Sequence, residues 1–272
     1  MHWVAEKGST EELATQKLLN AMASPTFRPV MLPALAREAL QLSRDPNLDL
    51  RVMAQLIEKD QVLAARFLAV ANSSFFSRAA AAMSVHAALS RIGLETARNV
   101  LLLASVAPFL FAAASKQFED GMKQLRIHSL AVAAACTYLT KYKGISLPDA
   151  SLAGLVHDLG AATLLRHVSE HQADFAELVR SGPTMVRVFQ VLHPLAGARV
   201  ADRWQLPESI REVIVGHHAA ASSSSLMVKV VAAADGYVHA LLGSSARASG
   251  GSRCQAYREN RNTEDPASGH PW

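Results

Sequence analysis

Apolar side chains recur at helical spacing along most of this chain, and no stretch alternates long enough to demand a strand. Leu13, Leu18 and Leu19 predict a short first helix to about Met22, opened by Ser9 and Glu12 at capping-box spacing, after a frayed start over residues 1–10. A proline-containing linker follows from Ser24 to Leu32. Pro33 suits a first helical position, and Leu35, Ala39 and Leu42 share one face until Asp45-Pro46 stops the run. Leu50, Met53, Leu56 and Ile57 repeat the spacing. Asp60 opens the next helix, which carries Leu63, Ala64, Phe67, Leu68 and Ala71 on one side and ends at Asn72-Ser73-Ser74. Ser84 caps a helix that Gly93 stops, and Glu95 opens an apolar run through Val100–Leu103 that Pro108 ends or bends.

The second half continues in the same period. Lys116 to Tyr142 reads as one long helix closed by Gly144. Pro148 then sits near the start of a strongly apolar segment, and Leu152 to Leu165 (LAGLVHDLGAATLL) reads as an unbroken helical run. A charged helix spans about 170–180, and Ser181-Gly182-Pro183 ends it. Thr184 to Leu192 is helical in spacing, and Pro194 disfavours helical geometry just before it, so His193 is expected at a break ahead of a helix running to Trp204. A further helix starts at Leu206-Pro207-Glu208 and ends near His217-His218. After a serine-rich turn at 222–225, Leu226 to Leu242 forms the last helix. No internal repeat is visible. The expected organisation is an N-terminal extension (1–24), a helical subdomain (25–115), a second helical subdomain (116–242) and a disordered polar tail (243–272).

Composition supports an all-α architecture. Half of the 272 residues are hydrophobic but only 6% are aromatic, and alanine is plentiful, which favours close helix packing. The formal charge of +4 is spread along the chain without a basic run, so solvated helix faces are expected and a nucleic-acid partner is not. Cys136 reads as a small buried hydrophobe and Cys254 lies in the polar tail, so neither a disulfide framework nor a thiolate metal site follows. The N-terminus lacks an apolar signal region. The longest apolar run, Val100–Ala114, is interrupted by Pro108 and falls short of the roughly 18–20 residues that cross a membrane. The expectation is a cytoplasmic protein with no membrane contact.

The chemistry starts from His157-Asp158. An adjacent ionisable pair in an apolar helix needs a partner, because a buried carboxylate must be paired, hydrogen-bonded or metal-bound. The candidates spread over the second half are His128, His193, His217, His218 and Asp235. Together the set supplies imidazoles and carboxylates without thiolates, which suits first-row divalent metals rather than a structural zinc finger. Small residues flank His128 and Asp235 and let helices approach, as in metal sites within bundles. Adjacent residues on a helix point about 100° apart, so His157 and Asp158 serve one centre only by flanking it, or by Asp158 bridging two metals. The remaining alternative is a polar core of mutual histidine–aspartate hydrogen bonds. His2, His86, His167, His171, His239 and His270 read as surface or structural histidines.

The order H…HD…H…HH…D resembles the ligand pattern of the HD phosphohydrolase superfamily. In that resemblance His128, His157, Asp158 and Asp235 match the mononuclear set. His193, His217 and His218 match the extra ligands of binuclear members, whose HD aspartate bridges the metals. The N-terminal half, LPALAREALQLSRDPNLDLRVMAQLIEKDQVLAARFLAVANSSFF and SVHAALSRIGLETARNVLL, is similar to the HDOD domain, the HD-related output domain of bacterial signalling proteins. LVHDLG, RWQLPESIREVIVGHH and VVAAAD continue the similarity over roughly residues 25–242. It implies an N-terminal helical bundle packed on an HD-like helical bundle.

Two departures bear on activity. Hydrolytic relatives carry HDxGK, and Ala161 stands at the lysine position; they carry HHE and then a GYP segment, where this chain has His217-His218-Ala219. Asp235-Gly236-Tyr237 looks like part of that segment but lies in the last helix. The resemblance therefore implies a non-hydrolytic signalling module with a retained, binuclear site for divalent iron, manganese, magnesium or zinc, and no assigned catalytic residue. A signalling protein or a nucleotide second messenger is the implied partner. No receiver, GGDEF or EAL segment is read, so the expectation is a stand-alone module. The alternative is a metal-dependent phosphohydrolase acting on a nucleotide or cyclic dinucleotide.

Overall fold

Several helix starts in the first half of the chain are set by side chains that satisfy the free amides of a first turn. The computed structural model describes residues 8–24, 27, 32–43, 45, 47–74, 76, 80–112, 115–140 and 147–248. The Ser9 hydroxyl accepts from the Glu12 amide at 3.2 Å and opens α1 (Thr10–Ala23). Pro33 precedes α2 (Ala34–Ser43), and its carbonyl accepts from the Arg37 amide. Asp49 caps α3 (Leu50–Glu58), Asp60 caps α4 (Gln61–Ala71) and Ser84 caps α5 (Val85–Ile92). Gly93, at φ 78°, turns the chain directly into α6 (Leu94–Leu110), which ends two residues after Pro108.

The second half begins with a 3-10 turn at Lys116–Phe118 and then α7 (Glu119–Thr140). It continues through α8 (Leu147–Val156), α9 (Leu159–Glu170), the short α10 (Ala176–Arg180), α11 (Gly182–Arg203) and α12 (Glu208–Gly216). A 3-10 turn at His217–Ser222 leads to α13 (Leu226–Ala248). The described residues contain no strand. The last helix runs to Ala248 rather than stopping at 242. The stop expected at Gly144, Cys254 and the rest of the tail lie outside the described residues.

The hydrophobic side chains form two cores that meet along α6. Met53, Leu56, Ile57, Leu63, Phe67, Leu89 and Leu101 fill the smaller core, built from α3, α4, α5 and one face of α6. Leu102, Val106 and Leu110, on another face of α6, join the larger core with α7 to α13. α6 thus fixes one bundle against the other. The helix read as an N-terminal extension is a wall of the larger core: Leu18 and Met22 are buried there, each contributing about 1.5–3 kcal/mol. Glu11 pairs with Arg187 on α11, and Lys17 Nζ donates to the Asp174 carbonyl at 3.1 Å.

α7 and α8 touch backbone to backbone. A Cβ on Gly154 would meet Ala133 Cα at 2.8 Å and Cys136 Sγ at 3.0 Å, so only glycine permits this approach. Cys136 is sealed in that contact, and burial, aided by the Asp235 charge, pushes its thiol up to about 12. In a Cys254→Ser background the native protein should therefore leave Ellman's reagent unreacted at mildly alkaline pH and react fully once unfolded. Rapid labelling of the native protein would contradict this packing.

Candidate metal centre

The histidine–aspartate pair does not lie within one helix, as the sequence suggested. α8 ends at Val156, His157 and Asp158 form a turn, and α9 starts at Leu159. Asp158 has φ −98° and ψ 20°, and its carbonyl accepts from the Ala161 amide at 2.9 Å to begin the new helix. Both side chains face the same space, with His157 Nε2 3.5 Å from Asp158 Oδ2. That removes the geometric difficulty an unbroken helix would pose.

The remaining residues arrive from separate helices. His128 comes from the middle of α7 and Asp235 from α13, which packs beside it. His193 lies inside α11, which runs unbroken through Pro194 instead of breaking before it. Proline removes only one helical amide there, and the packing of α11 along α9 outweighs the local preference. α9 and α11 cross at glycines: a Cβ on Gly160 would lie 1.8 Å from the His193 carbonyl oxygen, and one on Gly197 would lie 3.3 Å from the Gly160 nitrogen. This crossing carries Asp158 up to His193. His217 and His218 follow from the 3-10 turn after α12.

All seven residues predicted from the sequence meet in this cluster, and six of them are buried, His218 being exposed. Asp158 uses its two oxygens differently. Oδ2 faces His157 Nε2 at 3.5 Å and His128 Nε2 at 3.8 Å. Oδ1 faces His217 Nε2 at 3.4 Å and His193 Nε2 at 3.5 Å. The two oxygens thus face different pairs of histidines. Asp235 Oδ1 completes the first group, 3.0 Å from His128 Nε2 and 3.8 Å from His157 Nε2. His218 Nε2 completes the second, 3.0 Å from His193 Nε2.

The donor set fits a metal on chemical grounds. His157, His193 and His217 each donate Nδ1–H to a backbone carbonyl, of Gly154, Phe189 and Val213, at 2.9, 2.9 and 3.0 Å. Those bonds leave the Nε2 lone pairs aimed inward. His193 and His217 then face each other through Nε2 at 3.4 Å, and His128 and His157 at 3.3 Å. Lone pairs at such distances repel unless a proton or a cation lies between them. Ligands on a tetrahedral zinc with bonds of about 2.0–2.1 Å stand about 3.3 Å apart, close to the spacings here. The buried cluster could hold a metal ion.

Electrostatics prepare the same outcome. Burial works against ionising Asp158, but the facing His157, His217 and His193 hold its carboxyl well below the usual carboxylate range. Burial likewise opposes ionisation of Asp235, and hydrogen bonds from His128 and His239 outweigh it. Burial lowers His157 to about 4, so its ring is neutral and able to coordinate. At His217 burial opposes the charge, yet the Asp158 hydrogen bond and charge raise the ring overall.

The sequence reading missed one residue. His239, set aside as a surface or structural histidine, places Nε2 3.1 Å from Asp235 Oδ1. Its ring centroid is 4.5 Å from that of His128. Its position one helical turn after Asp235 was the available signal. Arg126 is exposed, and Arg166 pairs with Glu170 at 2.9 Å.

Comparison with known proteins places this geometry in a family. Residues 30–220 match the family described as the HDOD domain. The structure of a candidate metal-dependent phosphohydrolase from Shewanella amazonensis SB2B is similar at a TM-score of 0.69 and 23% identity, covering 85% of this chain and 84% of that one. A candidate signal transduction protein from Marinobacter aquaeolei VT8 gives a TM-score of 0.60 at 20% identity, covering 89% and 57%. A curated relative, an uncharacterized protein of Treponema pallidum (strain Nichols), is 24% identical over 210 residues. Those residues are 75% of this chain, and the match spans 40% of the relative's length. The structural likenesses establish a shared fold.

Proposed function

The chain belongs to the HDOD family, and from that premise we propose that it is a bacterial signalling module whose binuclear divalent-metal site organises the fold without hydrolysing phosphoesters. His128, His157, Asp158 and Asp235 hold one ion, and Asp158, His193, His217 and His218 hold the other. The pair would supply Lewis-acid character and a nucleophilic hydroxide to any phosphoester reaching it. The chain's own residues do something else: Asp158 and the anchored imidazoles tie α7, α9, α11, α12 and α13 to one point. A ligand set of this kind contributes folding free energy directly.

The observation that carries the non-hydrolytic reading is Ala161. It stands where hydrolytic relatives place a lysine, is 8% exposed and lies in the first turn of α9. Among the described residues the ion pairs to Asp158 come from histidines alone. A phosphoryl group would meet metal but no lysine or arginine from these positions to clamp its charge. The module's output then rests on its helical surface, docking a signalling protein or a nucleotide second messenger in the cytoplasm. The likeness to a candidate signal transduction protein supports that context.

The orientation of Asp158, with one oxygen toward each donor group, favours a second reading as a metal-dependent phosphohydrolase. Metal content measured on purified protein and on Asp158→Ala, followed by a phosphoester panel including cyclic dinucleotides, separates the two. The expected result is bound metal in the wild type with no turnover above buffer. Metal-dependent turnover that disappears in Asp158→Ala would overturn the non-hydrolytic reading, and a metal-free wild type would remove the centre altogether.

A further inference from the structure

His239 does not simply enlarge the cluster. His239, His128 and Asp235 each offer a donor atom within 4.8 Å of the others, a group of three that overlaps the inner cluster through His128 but does not contain Asp158. Asp235 Oδ1 is nearly equidistant from the two rings, 3.0 Å from His128 and 3.1 Å from His239. Side-chain exposure falls inward across the set, from 24% at His239 through 9% at His128 to 0% at His157. An imidazole Nε2 has one lone pair, so His128 can serve the outer group or the inner one at a given moment, never both.

We propose that His128, Asp235 and His239 form an outer position that captures a first-row divalent cation from solvent and passes it inward, where His157 and Asp158 replace His239. The proposal rests on the metal-binding reading above. His239 and Asp235 sit one turn apart on α13, so capture needs no rearrangement of the helix. The inward transfer exchanges one imidazole for another imidazole and a carboxylate, while His128 and Asp235 stay bound throughout. At no stage does the cation lose all protein donors, and its hydration shell is given up in parts. His218, although exposed, has no such role, because it shares one donor group with Asp158, His193 and His217.

A residue used only during passage changes rates without changing the end state. By microscopic reversibility, His239→Ala should slow loading and release by the same factor and leave the equilibrium constant unchanged. The test loads metal-free full-length protein with Co2+ in a stopped-flow spectrometer, follows the ligand-field bands, and then measures release into excess EDTA. Wild type, His239→Ala and His239→Cys are compared at equal saturation. Both rates should drop in His239→Ala by the same factor. The Co2+ stoichiometry should be unchanged, and His239→Cys, which restores a donor, should recover much of the rate. Wild-type rates in His239→Ala would overturn the capture role while leaving the inner centre intact. Faster release with weaker binding would also overturn it, making His239 an ordinary permanent partner. A wild type that takes up no Co2+ would remove both this inference and the reading it rests on.

Discussion

Gly160→Ala is expected to lower the melting temperature by roughly 6–12 °C, since each kcal/mol shifts a chain of this size by about 2–4 °C. The added methyl would sit 1.8 Å from the His193 carbonyl oxygen, 2.6 Å from the Gly197 nitrogen and 2.7 Å from the His193 carbonyl carbon. Those atoms are all backbone, so no side chain can rotate away. Overpacking that flexible neighbours absorb costs about 1–3 kcal/mol; here α9 and α11 must separate, and the expected cost is at or above about 3 kcal/mol. Separation also draws Asp158 away from His193, which it faces at 3.5 Å, so metal uptake at the second position should fall in the same variant. Gly236→Ala is the control. Gly236 is exposed on α13 with nothing within 4 Å of its added Cβ, and helix propensity predicts a gain of about 0.5–1 kcal/mol. Circular dichroism melts of the two variants beside wild type decide the matter. A Gly160→Ala protein melting within a degree or two of wild type would mean that the helices do not cross as closely as described.

The same glycine shows where the sequence could be read and where it could not. Helix starts at Ser9, Asp60 and Ser84 were legible because their signal is local: a short polar side chain reaches an amide two or three residues on. The seven clustered donors were legible because few residue types tolerate burial as ions, and their chain order matches a known pattern. The break at His157-Asp158 was not legible. LVHDLG contains no proline, and its glycine follows the break, so nothing local marks the turn. The turn answers a demand made by His193 and His217, far away in sequence. Pro194 misled for the converse reason: a real local preference lost to the fit of α11 along α9. Gly160 is visible in the sequence, but the backbone that crosses it is not. His239 was missed because it was weighed alone, whereas its partner Asp235 lies one turn before it on the same face.

Asp158→Asn should abolish binuclear metal binding, with affinity falling by more than the roughly 10–100-fold that loss of an outer partner produces. Among the described residues, no other side chain contributes to both inner donor groups, Oδ2 to His128 and His157 and Oδ1 to His193 and His217. The amide keeps the shape of the carboxylate, but its nitrogen presents hydrogens where a lone pair was needed, and the charge that offsets the cations is gone. His193→Gln and Asp235→Asn each damage one inner group, so each should retain one tightly bound inner equivalent where Asp158→Asn retains neither. Stability reports the same hierarchy. A ligand at a thousandfold excess over its dissociation constant stabilises by about 4.1 kcal/mol, and only a folded protein that binds it gains this. Wild type should therefore melt higher with saturating Co2+ than with EDTA, the single-group variants should show a smaller rise, and Asp158→Asn should show the smallest. Two bound equivalents in Asp158→Asn would sink the bridging role, because the two donor groups would then be independent of the residue that joins them.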